Sequence, residues 1–274
     1  MIYVISGVLA RIVSNSYLNV FQKILTNKDN KPSVVNFFTY LGLSLLGICL
    51  IPFFNLNFSA DLIMNFCIMG LLGALGNYYI IKALSIGELS SLAPINSYKP
   101  VVALVIAFFY LKEIPSLIAF VGILLIIIGT YLLHFGGQYN KKAVFYRILA
   151  LIFSGTEAVF IKKIILLTNI PTSFALWAIS GLIFSFIFVF SSKHELKIPS
   201  IKTLLLLIFS VGIMQYSTNF VFSKINVSYA LALFQLSTLL SVFLGVNIFH
   251  EEGLKRKIIA SLIMVIGALI IILG

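Results

Sequence analysis

The chain has 274 residues, 61% of them hydrophobic and only 10% charged, with a formal net charge of +11. Such a composition lies far outside the soluble range and marks an integral membrane protein, with no soluble domain to house ordinary enzyme chemistry. Its basic residues fall in loops at helix ends, so the charge reports membrane orientation and excludes nucleic acid as a partner.

A span needs about 20 apolar residues to cross the hydrocarbon core. In chain order, spans are predicted at 2–23, 34–54, 62–82, 90–111, 116–135, 144–164, 173–191, 201–222, 228–248 and 257–274. The first lacks a basic start before its apolar run and carries Arg11 inside that run, which predicts a retained helix and not a cleaved signal. Arg11 opens a stripe with Asn15 and Asn19 at four-residue spacing. That face turns away from lipid, either gluing helices together or lining a site. Cys49 and Cys67 sit singly within spans and read as small buried apolar residues. In the third span Gly70, Gly73, Ala74 and Gly76 predict close helix packing, and Asn77-Tyr78 follows them.

The fourth span carries Pro94-Ile95-Asn96-Ser97-Tyr98-Lys99-Pro100. Each proline lacks an N–H and frees a carbonyl four residues back, at Ser90 and Asn96. Unsatisfied backbone at that depth survives only against protein or a wet cavity. A charge at the centre of a lone helix costs roughly 2.5–3.5 kcal/mol, so Lys99 is expected to face the bundle interior. Asn96, Lys99 and Ala103 share one helical face. Lys99 and Asn96 therefore become candidate substrate ligands, a snorkelling or structurally paired lysine being the competing reading. Gly122 and Gly129 mark a packing face of the fifth span, and the loop 135–142 separates two halves, 1–135 and 143–274.

In the second half Glu157 is the only acid well inside a span. It could carry a coupling proton or neutralise Lys99 or Arg11. Trp177 is either a site wall or core. Gln215-Tyr216 repeats the Asn77-Tyr78 pair, and Asn219 lies one turn beyond. Such amide–tyrosine pairs, facing each other, could line a pocket for an organic solute or simply hydrogen-bond helices together. Gln235 and Thr238 form a weaker polar face, and Gly267 and Gly274 repeat the small-residue spacing. Glu113 and Glu251 precede the fifth and tenth spans, where a carboxylate suits the positive end of a helix.

These correspondences form a register. Ser14, Ser16, Lys23 and Ile24 recur as Ser154, Thr156, Lys163 and Ile164; Asn30-Lys31-Pro32-Ser33 recurs as Asn169-Ile170-Pro171-Thr172, and Gly42 as Gly181; Glu113 recurs as Glu251 and Gly129 as Gly267. Five spans per copy force the second copy into the membrane upside down. The fold class is thus an all-α membrane protein of ten transmembrane helices in two inverted five-helix repeats, an architecture common in secondary transporters, whose site lies where the repeats meet. The charges are not copied: Lys99 corresponds to Ser237, and Glu157 to Tyr17.

Lysine and arginine number 13 in the odd-numbered loops and 4 in the even-numbered ones. That bias alone puts the odd loops, and neither terminus, in the cytoplasm. His134, His194 and His250 lie at or beyond helix ends, and there is no H-E-x-x-H, G-x-S-x-G or phosphate-binding loop. No metal, no cofactor, no enzyme activity and no ATP coupling are expected.

Lys82-Ala83-Leu84, Ser90-Ser91-Leu92-Ala93-Pro94, Tyr110-Leu111-Lys112-Glu113 and Phe120-Val121-Gly122 to Gly129-Thr130, with weaker counterparts from Ser228-Tyr229-Ala230 to Gly267, resemble the drug/metabolite transporter superfamily, EamA-type branch. The second copy lacks prolines equivalent to Pro94 and Pro100. The resemblance covers the whole chain and implies alternating access around a central cavity, a multi-pass protein of the bacterial inner membrane, and cytoplasmic termini. The charge bias implies the opposite, and reporter fusions to the C-terminus decide between them.

The expected function is secondary active transport of small organic solutes, amino-acid-like or anionic and polar metabolites, as an exporter or exchanger. The candidate ligands are Lys99, Asn96, Tyr78, Asn77, Tyr216, Gln215, Asn219, Arg11, Asn15, Trp177 and Gln235, with Glu157 as the ion-coupling candidate. The alternatives are a proton-coupled exporter of lipophilic cations and, behind it, a passive channel or scaffold. The expected partners are a small-molecule substrate, the lipid bilayer and a proton or counter-substrate, in a monomer or homodimer.

Overall fold

A computed structural model of the chain describes residues 2–27, 30–114, 116–134, 140–191, 198–249 and 254–273. The first copy runs through α1 (Ile2–Asn27), α2 (Pro32–Ile48), α3 (Ala60–Leu84), the short α4 (Leu89–Leu92), a 3-10 turn at Pro94–Tyr98, α5 (Lys99–Tyr110) and α6 (Leu117–His134). The second runs through α7 (Lys141–Leu167), α8 (Ile170–Ser191), α9 (Ile201–Phe222), α10 (Val227–Phe234), α11 (Leu236–Phe249) and α12 (Leu254–Leu273). No strand occurs among the described residues.

Among the described residues seven stretches are long and apolar enough to cross a membrane, with α4–α5 (Leu89–Tyr110) and α10–α11 (Val227–Phe249) each forming one broken stretch; Pro32–Ile48 and Ile258–Gly267 are shorter apolar helices. The predicted second span, 34–54, ends early at Ile48, because Pro52 has no N–H to continue it and the chain closes a 3-10 turn at Ile51–Phe53. The repeated Asn-x-Pro-Ser/Thr tract starts a helix in each copy by different means. Asn169 Oδ1 accepts the N–H of Thr172 at 2.9 Å, whereas Asn30 Nδ2 donates back to the Leu25 carbonyl at 2.7 Å.

Contacts between the copies show the inversion directly. A Cβ on Gly7 of α1 would meet Phe220 and Val221 of α9, while Arg11 bonds Thr218, so α1 and α9 run antiparallel. Gly73 and Gly76 of α3 lie against Glu157 and Ser154 of α7, again antiparallel. In the same way Tyr40 and Gly47 of α2 meet Gly181 and Ala175 of α8. The first helix of each copy thus packs on the third of the other, and the second on the second. Only a two-fold relation that reverses chain direction gives that reciprocal pattern. Helices α6 and α12 form a separate antiparallel pair: a Cβ on Gly267 would lie 2.6 Å from the Gly122 carbonyl, so no larger residue fits there.

Burial is turned inside out relative to a soluble protein. Ser16, Asn36, Asn65, Thr172, Asn219 and Gln235 are at most 1% exposed, whereas Leu45, Ile63, Phe109 and Phe209 are more than half exposed on the outer face. That arrangement suits a bundle whose solvent is lipid. Cys49 and Cys67, expected to be buried, also lie on the outer face, where a small apolar side chain costs nothing in lipid.

Alternation of helix direction gathers Lys31, Lys82, Lys141, Lys142, Lys202 and Lys255 at one end of the bundle. The opposite end is tied by Lys163–Asp61 at 3.1 Å and Lys162–Glu113 at 2.8 Å. Glu113 was expected to serve the helix that follows it. Instead it reaches across the repeats, accepting from Lys162 Nζ and from the N–H of Val227, the first residue of α10. Lys112 makes this possible: its φ of 60° turns the chain left-handed, and the N–H of Glu113 returns to the Ala107 carbonyl. Glu251 lies outside the described residues.

Candidate functional site

Between the copies lies a narrow cavity of about 80 Å³, lined from α1, α2, α3, α5, α7, α8, α9 and α10 and by the 3-10 turn between α4 and α5. Its lining holds three cations, Arg11, Lys99 and Arg147, and one carboxylate, Glu157. Asn15, Asn77, Asn96, Trp177 and Gln215 complete the sequence candidates that reach it. Tyr40, Ser154 and Thr218 line it as well and carry no clear signal in the sequence.

The break in the fourth span decides where Lys99 and Arg147 stand. The N–H of Asn96 bonds Ala93 at 3.1 Å in the 3-10 turn, so the Leu92 carbonyl loses its helical donor. Arg147 Nε of α7 fills that vacancy at 3.2 Å. The freed Asn96 carbonyl accepts the N–H of Lys99. The lysine then enters the cavity with no ion pair among the described residues, within Coulombic range of Glu157, Arg11 and Arg147.

Glu157 is fixed by its neighbours. Trp177 Nε1 donates to its Oε1 at 2.6 Å, and the carboxylate occupies the hollow left by Gly73, where a Cβ would collide with Oε1. Tyr40 packs on Trp177 with ring centroids 5.2 Å apart, and its own ring fills the space above Gly181. Gly73, read from sequence as a packing residue, and Gly181, read as the counterpart of Gly42, therefore also shape the acid's seat.

Arg11 is 5% exposed; its Nε donates to Thr218 Oγ1 at 2.9 Å and its guanidinium lies 4.9 Å from the centre of the Phe234 ring. Its Nη1 is buried with no hydrogen-bond partner. Next on the stripe, Asn15 Nδ2 donates to Ser237 Oγ at 3.1 Å.

The amides of the third helices are anchored within their own copies. Gln22 Nε2 donates to Asn77 Oδ1 at 3.0 Å, and Asn77 Nδ2 to Asn36 Oδ1 at 2.5 Å. In the other copy the amides of Gln215 and Asn219 pair at 2.8 Å. Asn219 itself stands behind the cavity wall near Ser173, and Gln235 bonds the Leu231 carbonyl at 2.8 Å. The tyrosines do not face each other. Tyr78 packs on Tyr79, with Lys82 Nζ 5.3 Å from its ring, and Tyr216 is 40% exposed beside Phe174 on the outer face. Adjacent helical residues point about 100° apart, so turning the amide inward turns the tyrosine away.

At the basic end a second cavity of about 360 Å³ is lined by Lys23, Ser85–Glu88, Ser91, Leu92 and Asn140. It shares Leu92 with the Arg147 contact. No group of histidine, cysteine or acidic side chains able to hold a metal occurs among the described residues.

A model of the EamA-like transporter family matches residues 2–135 and again 141–273. The chain belongs to that family. No curated protein matches it in sequence. A solved structure titled "Crystal structure of protein" shares the fold, with a TM-score of 0.68 and 15% identity over 96% of this chain and 94% of that one. The family assignment makes the chain a multi-pass membrane protein of transporter type, and its two matched segments coincide with the two structural copies.

Proposed function

We propose that the chain is a secondary active transporter of small organic anions, amino-acid-like solutes included, working as an exporter or exchanger across a bacterial inner membrane. In this reading its helices make ten spans, and the two inverted copies rock about the central cavity to open it to either side. The observation that carries the reading is the cavity's charge: three cations against one carboxylate, buried between repeats where transporters of this architecture hold substrate. Burying cations without counter-ions costs several kcal/mol each, and an anionic solute would supply the missing charge. A lipophilic cation would meet Arg11, Lys99 and Arg147 with Glu157 alone to offset them, so the lining favours an anion over that alternative.

The cavity's 80 Å³ is room for roughly five to eight waters at about 10–15 Å³ each. Ligand sites usually enclose about 300–1,000 Å³, so a metabolite enters only as the copies separate. The test is flux of identified anions into proteoliposomes. Lys99→Ala should lower uptake by about tenfold or more, the scale of one lost charge contact. Wild-type uptake in that variant would remove the lysine from the mechanism, and uptake that never saturates would mean a channel. Glu157 is the proposed coupling residue: Glu157→Gln should abolish any dependence of flux on a pH gradient, and unchanged dependence would leave it a structural partner of Trp177.

A further inference from the structure

The three cations are not clustered. Two contacts set their depths: Gln22 of α1 bonds Asn77 of α3, and Ser154 of α7 lies against Gly76 of α3. Counted along α3 from those registers, Arg11 is level with Phe66 and Arg147 with Ala83. At 1.5 Å per residue the two arginines are rooted roughly 25 Å apart along the cavity. Lys99 lies beside Gly155 and is therefore level with Leu75, close to midway, and Glu157 lies against Gly73 at nearly the same depth. Lys99 and Glu157 cancel formally in the middle. What remains is one uncompensated guanidinium at each end.

Neither guanidinium meets a carboxylate among the described residues, and Arg11 also has an orphaned nitrogen. Arg11 bonds only through Nε to Thr218 and leaves Nη1 buried without a partner. Arg147, 4% exposed, bonds only through Nε to the Leu92 carbonyl. Neither forms an ion pair among the described residues. A guanidinium presents a planar fork suited to a carboxylate or phosphate, and Nε anchored to the protein leaves the rest of the fork for a ligand. The arginines come from the first helix of each copy, one per copy, so the two ends of the cavity present like recognition groups from opposite sides.

Building on the transporter reading above, we propose that the site takes an elongated dianion, one anionic group at Arg11 and the other at Arg147, with an uncharged middle passing Lys99 and Glu157. A monoanion leaves one arginine uncompensated, and a compact dianion such as sulfate reaches only one end. The site is therefore selective for charge separation as well as for total charge.

The test is thermal stabilisation of the purified, full-length protein in detergent, which reads binding without requiring flux. The probes are unbranched α,ω-dicarboxylates of eight to fourteen carbons, whose carboxyl groups lie roughly 9–17 Å apart when extended, monocarboxylates of the same lengths, and sodium sulfate at matched ionic strength. The expected result is a length optimum among the dicarboxylates, with the best binding at least about tenfold tighter than its monocarboxylate. Arg11→Gln and Arg147→Gln should each abolish that preference, bringing the best dicarboxylate to within about threefold of its monocarboxylate. Equal binding of mono- and dicarboxylates, or sulfate as good as the best dicarboxylate, would overturn the two-ended site yet leave anion transport standing. Persistence of the preference in both glutamine variants would overturn it too. Should either variant fail to fold, the wild-type length series still decides, since a site without two separated anion-binding ends gives no dicarboxylate optimum.

Discussion

The two fourth spans break at matching depths but repair the break differently. In the first copy, prolines at 94 and 100 flank a 3-10 turn, and the freed Leu92 carbonyl is satisfied by Arg147, a cation from the other copy. In the second copy there is no proline at the break. The N–H of Gln235 turns to the Ala232 carbonyl at 3.0 Å, and the vacated Leu231 carbonyl takes the side-chain amide of that same Gln235. One break recruits a charge across the interface and opens onto Lys99. The other closes on itself with a neutral amide and presents Ser237. The shared shape belongs to the scaffold, and the choice of partner for one orphaned carbonyl makes one side chemical and the other structural.

The strongest way to break this comparison is to make the copies alike. Ser237 is 2% exposed, its Oγ accepts from Asn15 and its carbonyl from Ser16 Oγ at 3.0 Å. Ser237→Lys would bury a second lysine beside a cavity whose lining already holds three cations against one carboxylate, and would orphan Asn15 as well. We expect a loss of about 3 kcal/mol, the cost of an unpaired charge at mid-helix, read as a marked fall in melting temperature and membrane yield. A variant as stable as wild type would mean that the two breaks are electrostatically interchangeable.

Gln235→Leu sharpens the same comparison at smaller cost. It orphans the Leu231 carbonyl, but it also removes Gln235 Oε1, which is buried without a partner. The two changes offset in part, so we expect about 1 kcal/mol of destabilisation. Anion-induced stabilisation should be unchanged, because Gln235 does not line the cavity. A change in ligand preference would bring this residue back into the site.

What the sequence revealed divides along the same line. Repeats and helix packing were legible because they depend on register and small residues: matching tracts in the two halves, and glycines such as Gly129 and Gly267 where helices touch. Buried charges inside spans were legible too, since Lys99, Arg11 and Glu157 stand alone in apolar runs. Arg147 was not, because it follows Lys141 and Lys142 and reads as one more loop charge, although it lies six residues into α7. Its position within the predicted span 144–164 was the available signal. Tyr40 gave none, as its role depends on Gly181 in a helix 141 residues away. The partner of Gln235 was not legible either, since it is a carbonyl freed by a break that no proline announces.

The smallest expected effect concerns the prolines themselves. If proline caused the break, Pro94→Ala would let α4 continue into the 3-10 turn, drawing Asn96 back onto Leu92 and displacing Arg147. The second copy argues otherwise, since α10 ends at Phe234 with no proline at its break. The break is held by what it touches: Arg147 on the Leu92 carbonyl, and the tight approach of Val102, three residues past Lys99, to Gly155, where an added Cβ would lie 3.0 Å from the Val102 side chain. Pro94→Ala should therefore change stability by no more than about 1 kcal/mol, the scale of the lost constraint on the unfolded chain. Amide exchange at Asn96 should stay at its wild-type rate, because its N–H already bonds Ala93. Strong new protection there, together with weaker anion binding, would show that proline and not the opposing copy sets the break.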